Sequence, residues 1–260
     1  MAIIEQYLPL FLLVFVRMTA FMVSAPIFSV QGVPNQFKIG FACLVSFISF
    51  FYIEVEGTVP LDLTFAIYVV KEAIIGLILG FICELFFVAI RIAGGLMDLQ
   101  MGFAMANVID PKTGASVPIT GQFKSILATL YFLSINGHHM LLRGIIASYE
   151  TIPVDRMWIS LGDDSVALTV IRFFSDMFVS AFLMAAPIVA ALFLVDLALG
   201  IIAKSVPQFN IFVVGMPIKM IASFLLLIVV MPAFFLVLSG LFEKMFQAMA
   251  DMMKLLGGEP

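Results

Sequence analysis

The chain has 260 residues, 63% of them hydrophobic and only 12% charged, with a net charge of −4 and a mean hydropathy of +1.19. Soluble domains carry about a quarter charged residues, so this composition excludes an ordinary soluble enzyme and points to a membrane or membrane-derived helical protein. There is no Lys/Arg run to bind nucleic acid or lipid headgroups, and Cys43 and Cys83 both sit inside apolar blocks as small hydrophobes.

The opening M-A-I-I-E-Q-Y lacks the basic residues of a secretory signal, so the first apolar segment is expected to be kept. That block covers residues 7–30, with Arg17 inside it and Pro26 near its end. After a turn at Gly32, Pro34 and Asn35, residues 37–53 are free of charge beyond Lys38 and just long enough to span a bilayer. An acidic loop holds Glu54, Glu56 and Asp62. The third block, residues 63–91, contains Lys71, Glu72 and Glu84.

Residues 94–123 break this pattern. The first half, to about Ala106, is helix-forming, and Gly94, Gly95 and Gly102 in it let another backbone come close. From Asn107 on, Asp110-Pro111, Gly114, Pro118 and Gly121 stop helices and make turns. Val108, Ile109, Val117 and Ile119 make the segment too apolar for a solvated linker, so it is expected to pack into something. Met97, Met101 and Met105 share one helix face, as a core stripe or as an adaptable surface.

Residues 124–147 are apolar again but carry Asn136-Gly137-His138-His139 and Arg143. Residues 150–165 read as a surface connection. Residues 166–203 form one long helical pattern containing Arg172, Asp176, Pro187 and Asp196, closed by a polar turn from Lys204 to Asn210. Residues 211–241 are the last long block, with Pro217, Lys219 and Pro232, followed by an amphipathic tail over residues 242–256. About six long apolar helices result, an all-α fold of membrane-type hairpins. No alternating runs speak for a barrel.

Ionisable groups inside these blocks (Arg17, Lys71, Glu72, Glu84, Asp196 and Lys219) each cost a few kcal/mol if they face lipid, so they need protein partners. Lys and Arg do not alternate between loops, which leaves the orientation open. The pair His138-His139 reads as hydrogen bonding at a helix kink rather than as a metal site, because adjacent helical side chains point about 100° apart and no third histidine exists. Asp196 has two readings, a proton-coupling carboxylate or a buried group paired with Lys204 or Lys219. Neither a nucleotide loop, a Ser-His-Asp set nor HExxH is present. Neither a cofactor nor a metal is expected.

The wording M-G-F-A-M-A-N-V-I-D-P, then P-x-x-G-Q-F and N-G-H-H-x-L-L-R-G-I, resembles the flagellar FliR family, whose virulence-secretion relatives share the plan. The run L-V-D-L-A-L-G-x-I-x-K-x-V-P-Q-x-N-I-F, ending in P-x-K, is similar to the same family. The resemblance implies a non-enzymatic subunit of the type III protein export gate in the bacterial inner membrane and flagellar basal body. It implies assembly into a helical complex with FliP-like and FliQ-like subunits, contact with FlhB-like and FlhA-like proteins, and passage of unfolded flagellar substrates. It also implies a pore plug at about 106–122 (Asn107, Val108, Ile109, Asp110, Pro111, Thr113, Gly114, Val117, Pro118, Gly121). Residues 1–165 then correspond to a FliP-like part and residues 166–260 to a FliQ-like hairpin with the tail. Arg17, Glu84, His138, His139, Arg143, Asp196, Lys204 and Lys219 are the expected structural or assembly groups. The alternative is an ion-coupled secondary transporter, built on Pro- and Gly-broken helices and midplane charges. A third reading is an intramembrane enzyme using His138 or His139.

Overall fold

A computed structural model describes residues 2–29, 32–53, 62–103, 118–157, 159, 164–206 and 211–258. Among these there are seven helices and no strand: α1 (Ala2–Ser24), α2 (Asn35–Phe50), α3 (Leu63–Met101), α4 (Ile119–Ser134), α5 (Gly137–Thr151), α6 (Asp164–Ser205) and α7 (Ile211–Gly257). Four of them, α1, α3, α6 and α7, are long and apolar enough to cross a membrane. At about 1.5 Å per residue the 42-residue α6 and the 47-residue α7 run to about 60–70 Å, twice the length a bilayer core of about 30 Å requires.

Two elements add detail to the sequence expectation. The amphipathic tail continues the last long block, since α7 runs unbroken through residues 242–256. A change of composition is not a stop signal, and between Leu241 and Gly257 there is no Gly or Pro. The 124–147 block is two helices, divided where Asn136 takes the left-handed conformation (φ 57°, ψ 28°) that asparagine tolerates. The break falls at the Asn-Gly-His-His step, where a kink was expected.

The chain packs as two compact units, each of which recruits pieces of several helices. The first comprises Met1–Phe86, Leu133–Phe174 and Glu243–Pro260. Its core joins Leu10, Leu13 and Val14 of α1 to Tyr68 of α3, Tyr149 of α5 and Val154. Within it Gly76 and Gly80 of α3, four residues apart, share the face turned to α1. A methyl at Gly76 would meet the Arg17 carbonyl and Phe21 nitrogen, and one at Gly80 the Ser24 hydroxyl and Phe21 carbonyl. Backbones brought this close exclude any side chain, so the spacing fixes the α1–α3 register.

The second unit comprises Phe87–Phe132 and Ser175–Phe242. Phe87, Phe132 and Phe242 form its aromatic nucleus, with ring centroids 4.8–5.6 Å apart. Phe182, Phe193, Phe224, Ile228, Val229 and Leu236 are exposed on α6 and α7, an apolar surface of the kind that lipid or partner helices cover.

Candidate functional site: buried ionic joints and the base of the central loop

Arg17 lies at the centre of the first unit with no exposed surface. All five of its N–H donors are used. Nε and Nη2 donate to the two carboxylate oxygens of Glu72 at 2.5 and 3.0 Å, Nη2 also to the Ile152 carbonyl at 2.8 Å, and Nη1 to the carbonyl and hydroxyl of Ser148 at 2.9 and 3.0 Å. Its guanidinium also stacks 4.3 Å above the Tyr149 ring. Burial pushes the Tyr149 phenol well above its ordinary pKa, so it stays a donor, to the Val14 carbonyl at 3.0 Å. The residue before Glu72 on α3 is Lys71, whose side chain leaves the helix about 100° round its axis. Its ammonium donates to the carbonyls of Pro153, Val154 and Arg156 at 3.2, 3.0 and 2.8 Å and pairs with Glu72 at 2.7 Å. One carboxylate thus holds two cations, and the three groups tie α1, α3 and the end of α5 together.

In the second unit, Asp196 of α6 pairs with Lys219 of α7 at 2.7 Å and also accepts from Gln100 Nε2 at 2.8 Å. Of the two lysines proposed from sequence, Lys219 is the partner. Lys204 lies two turns along the same helix, about 12 Å away axially, and sits exposed in its last turn, where a cation suits the helix dipole. Arg143 is exposed and Glu84 half-buried. His138 is half-buried, its ring 4.3 Å from that of the exposed His139, and its Nδ1 has no hydrogen-bond partner among the described residues. Among those residues no group of three His, Cys, Asp or Glu side chains is placed to hold a metal ion.

The base of the central loop is also in the second unit. Helix α3 ends at Met101, earlier than Ala106, because Gly102 takes φ +87° and the Gly102 and Phe103 amides bond back to Leu99 and Asp98. Gly102 is thus a helix stop and not a contact surface. From Pro118 the chain enters α4, whose first turn is fastened to the last turns of α3. Both oxygens of Asp98 accept from the Thr120 amide at 3.1 Å. A carboxylate satisfying an orphan amide at a helix N-terminus is a strong, charge-assisted cap. Gly94 lies against the backbone of Gly121 with no room for a methyl. Lys124, one turn on, is buried against Met97 and Phe234. Of the residues expected in the plug, Pro118 and Gly121 belong to this base. Asn107, Val108, Ile109, Asp110, Pro111, Thr113, Gly114 and Val117 lie outside the described residues.

Sequence reasoning missed Asp98, Gln100, Lys124 and Ser148. Nothing local marks Asp98 as a cap for a helix that begins 21 residues later, or Ser148 as a ligand for an arginine 131 positions away. The Gly76/Gly80 spacing was a readable signal.

These features define an all-helical, membrane-type protein whose buried charges bind helix to helix. The profile of bacterial export proteins, family 1, matches residues 8–245. The chain is 45% identical over 249 residues to flagellar biosynthetic protein FliR of Bacillus subtilis (strain 168), covering 96% of each chain. It is 30% identical to the FliR of Escherichia coli (strain K12), covering 95% of this chain and 93% of that one. Yop proteins translocation protein T of Yersinia pestis is 32% identical over 178 residues, 68% of this chain and 66% of its own. The chain belongs to the FliR family of bacterial export proteins.

Proposed function

We propose that the chain is a subunit of the flagellar type III protein export gate, and that its central segment, about residues 106–122, plugs the closed channel through which unfolded flagellar proteins pass. Family membership supports an export-apparatus component without enzymatic chemistry. The observation that carries the plug reading is the base just described. Helices α3 and α4 are bound to each other by the Asp98 cap and the Gly94–Gly121 contact, so a segment rich in turn-makers and β-branched residues leaves and returns at one anchored point. Such a segment blocks by packing, without strong specific bonds, and yields when an unfolded chain arrives. The reading includes FliP-like and FliQ-like neighbours, FlhB-like and FlhA-like contacts, and a place in the bacterial inner membrane at the flagellar basal body. It also includes a FliP-like part at 1–165 and a FliQ-like part at 166–260, a grouping by resemblance that is separate from the two packing units. Arg17, Glu84, His138, His139, Arg143, Asp196, Lys204 and Lys219 act in it as structural or assembly groups.

Deleting residues 112–117, with Pro118 and the helices kept, tests the plug. Cells that co-express the partner subunits should then leak small ions and dyes, and cells without the partners should not. A deletion that assembles and stays tight to ions removes the plug assignment.

A further inference from the structure

Lys124 is the least expected buried charge in the chain. Its residue is 2% exposed, yet its Nζ meets no oxygen among the described residues. Its contacts are the Met97 sulfur at 3.0 Å and the face of the Phe234 ring, whose centroid is 4.7 Å away. An ammonium has three protons to donate; the Phe234 face attracts the cation, but a ring and a thioether replace only part of the hydration that burial removes. On α3 the charged group facing it is Asp98, whose oxygens are both engaged by the Thr120 amide; α7 presents Phe234; α4 carries no other charge. The pocket therefore suits an amine better than an ammonium.

We propose that the α3–α4 junction is a proton-linked clasp. It closes with Lys124 in its sulfur-and-aromatic pocket, most tightly as the neutral amine, and parting of the two helices returns Lys124 to water, where it holds a proton. Burial pulls the Lys124 pKa from 10.5 down to about 8, with Asp98 opposing the shift. Below pH 8 both states are protonated, and closing carries the full penalty of a buried ammonium. Between pH 8 and 10.5 closing releases a proton, so the clasp tightens as pH rises, by up to about tenfold per unit. At neutral pH the clasp is thus weakened by its own lysine.

The test is amide hydrogen exchange over residues 119–124 in the full-length chain purified with its co-expressed partners. Rates are corrected for intrinsic pH dependence and referenced to α5. Protection should rise about twentyfold from pH 7.5 to 9.5, as the two pKa values require. Lys124→Met should show high protection at both pH values, and Lys124→Arg, which cannot shed its proton, low protection at both. A wild-type profile flat within twofold overturns the clasp even if neither variant assembles. So does a Lys124→Met protein that keeps the wild-type slope. The inference rests on the plug reading only for its consequence. If exchange responds as stated while the 112–117 deletion assembles and stays tight to ions, the clasp stands and the plug reading fails.

Discussion

Glu72→Ala is expected to be the most damaging single change in the first unit, lowering stability by about 3–5 kcal/mol, the usual effect of breaking a buried ion pair. The carboxylate has no exposed surface and balances two cations, Arg17 and Lys71, which are themselves almost wholly buried. Removing it leaves two like charges together in a dry interior with only carbonyl and hydroxyl oxygens as partners. Arg17→Met should cost less, because Glu72 keeps Lys71, although the Ser148 and Ile152 carbonyls lose their donor. Lys71→Met should cost least, because the Arg17–Glu72 fork survives and the freed carbonyls belong to a connection whose Arg156 already reaches solvent. Thermal unfolding and yield of the co-purified complex in detergent measure the series. An order in which Lys71→Met is worst would mean that the carbonyl cage, and not the carboxylate, holds the joint.

Which parts of this were readable follows from the range of the forces involved. Helices are set by local chemistry, so the apolar blocks and the Asn136-Gly137 break could be placed from the sequence. The need for partners was also legible, since Arg17, Glu72 and Asp196 inside apolar runs cannot face lipid cheaply. Who partners whom was not. Arg17 and Glu72 are 55 positions apart and meet only once α1 packs on α3, through the Gly76/Gly80 approach and the Leu10–Tyr68 core. For Asp196, helix geometry would have excluded Lys204 once the turn after Ser205 was recognised. The base of the loop was hardest. Nothing near Lys124 or Asp98 in the sequence names its partners, which meet only where α4 is folded back on α3.

That fold-back yields the last expected result, a contrast between neighbours. Gly94 and Gly95 look equivalent in sequence, and each alanine should gain up to about 1 kcal/mol in helix propensity. Their surroundings differ. Among the described residues a Cβ on Gly95 meets the Pro118 ring at 3.7 Å, an ordinary contact, so Gly95→Ala should be neutral or mildly stabilising. A Cβ on Gly94 would run into the Gly121 backbone, which has no flexible end to move aside, so Gly94→Ala forces α3 and α4 apart. Overpacking of this kind costs about 1–3 kcal/mol, more than propensity returns, and it falls on the Asp98–Thr120 cap. Gly94→Ala should therefore lose amide protection at Thr120 and, under the plug reading, make assembled gates leak with the loop sequence intact. Gly94→Val should do so more strongly, and Gly95→Ala should stay as tight as the parent. Equal behaviour of the two alanine variants would show that the close α3–α4 approach does not hold the loop.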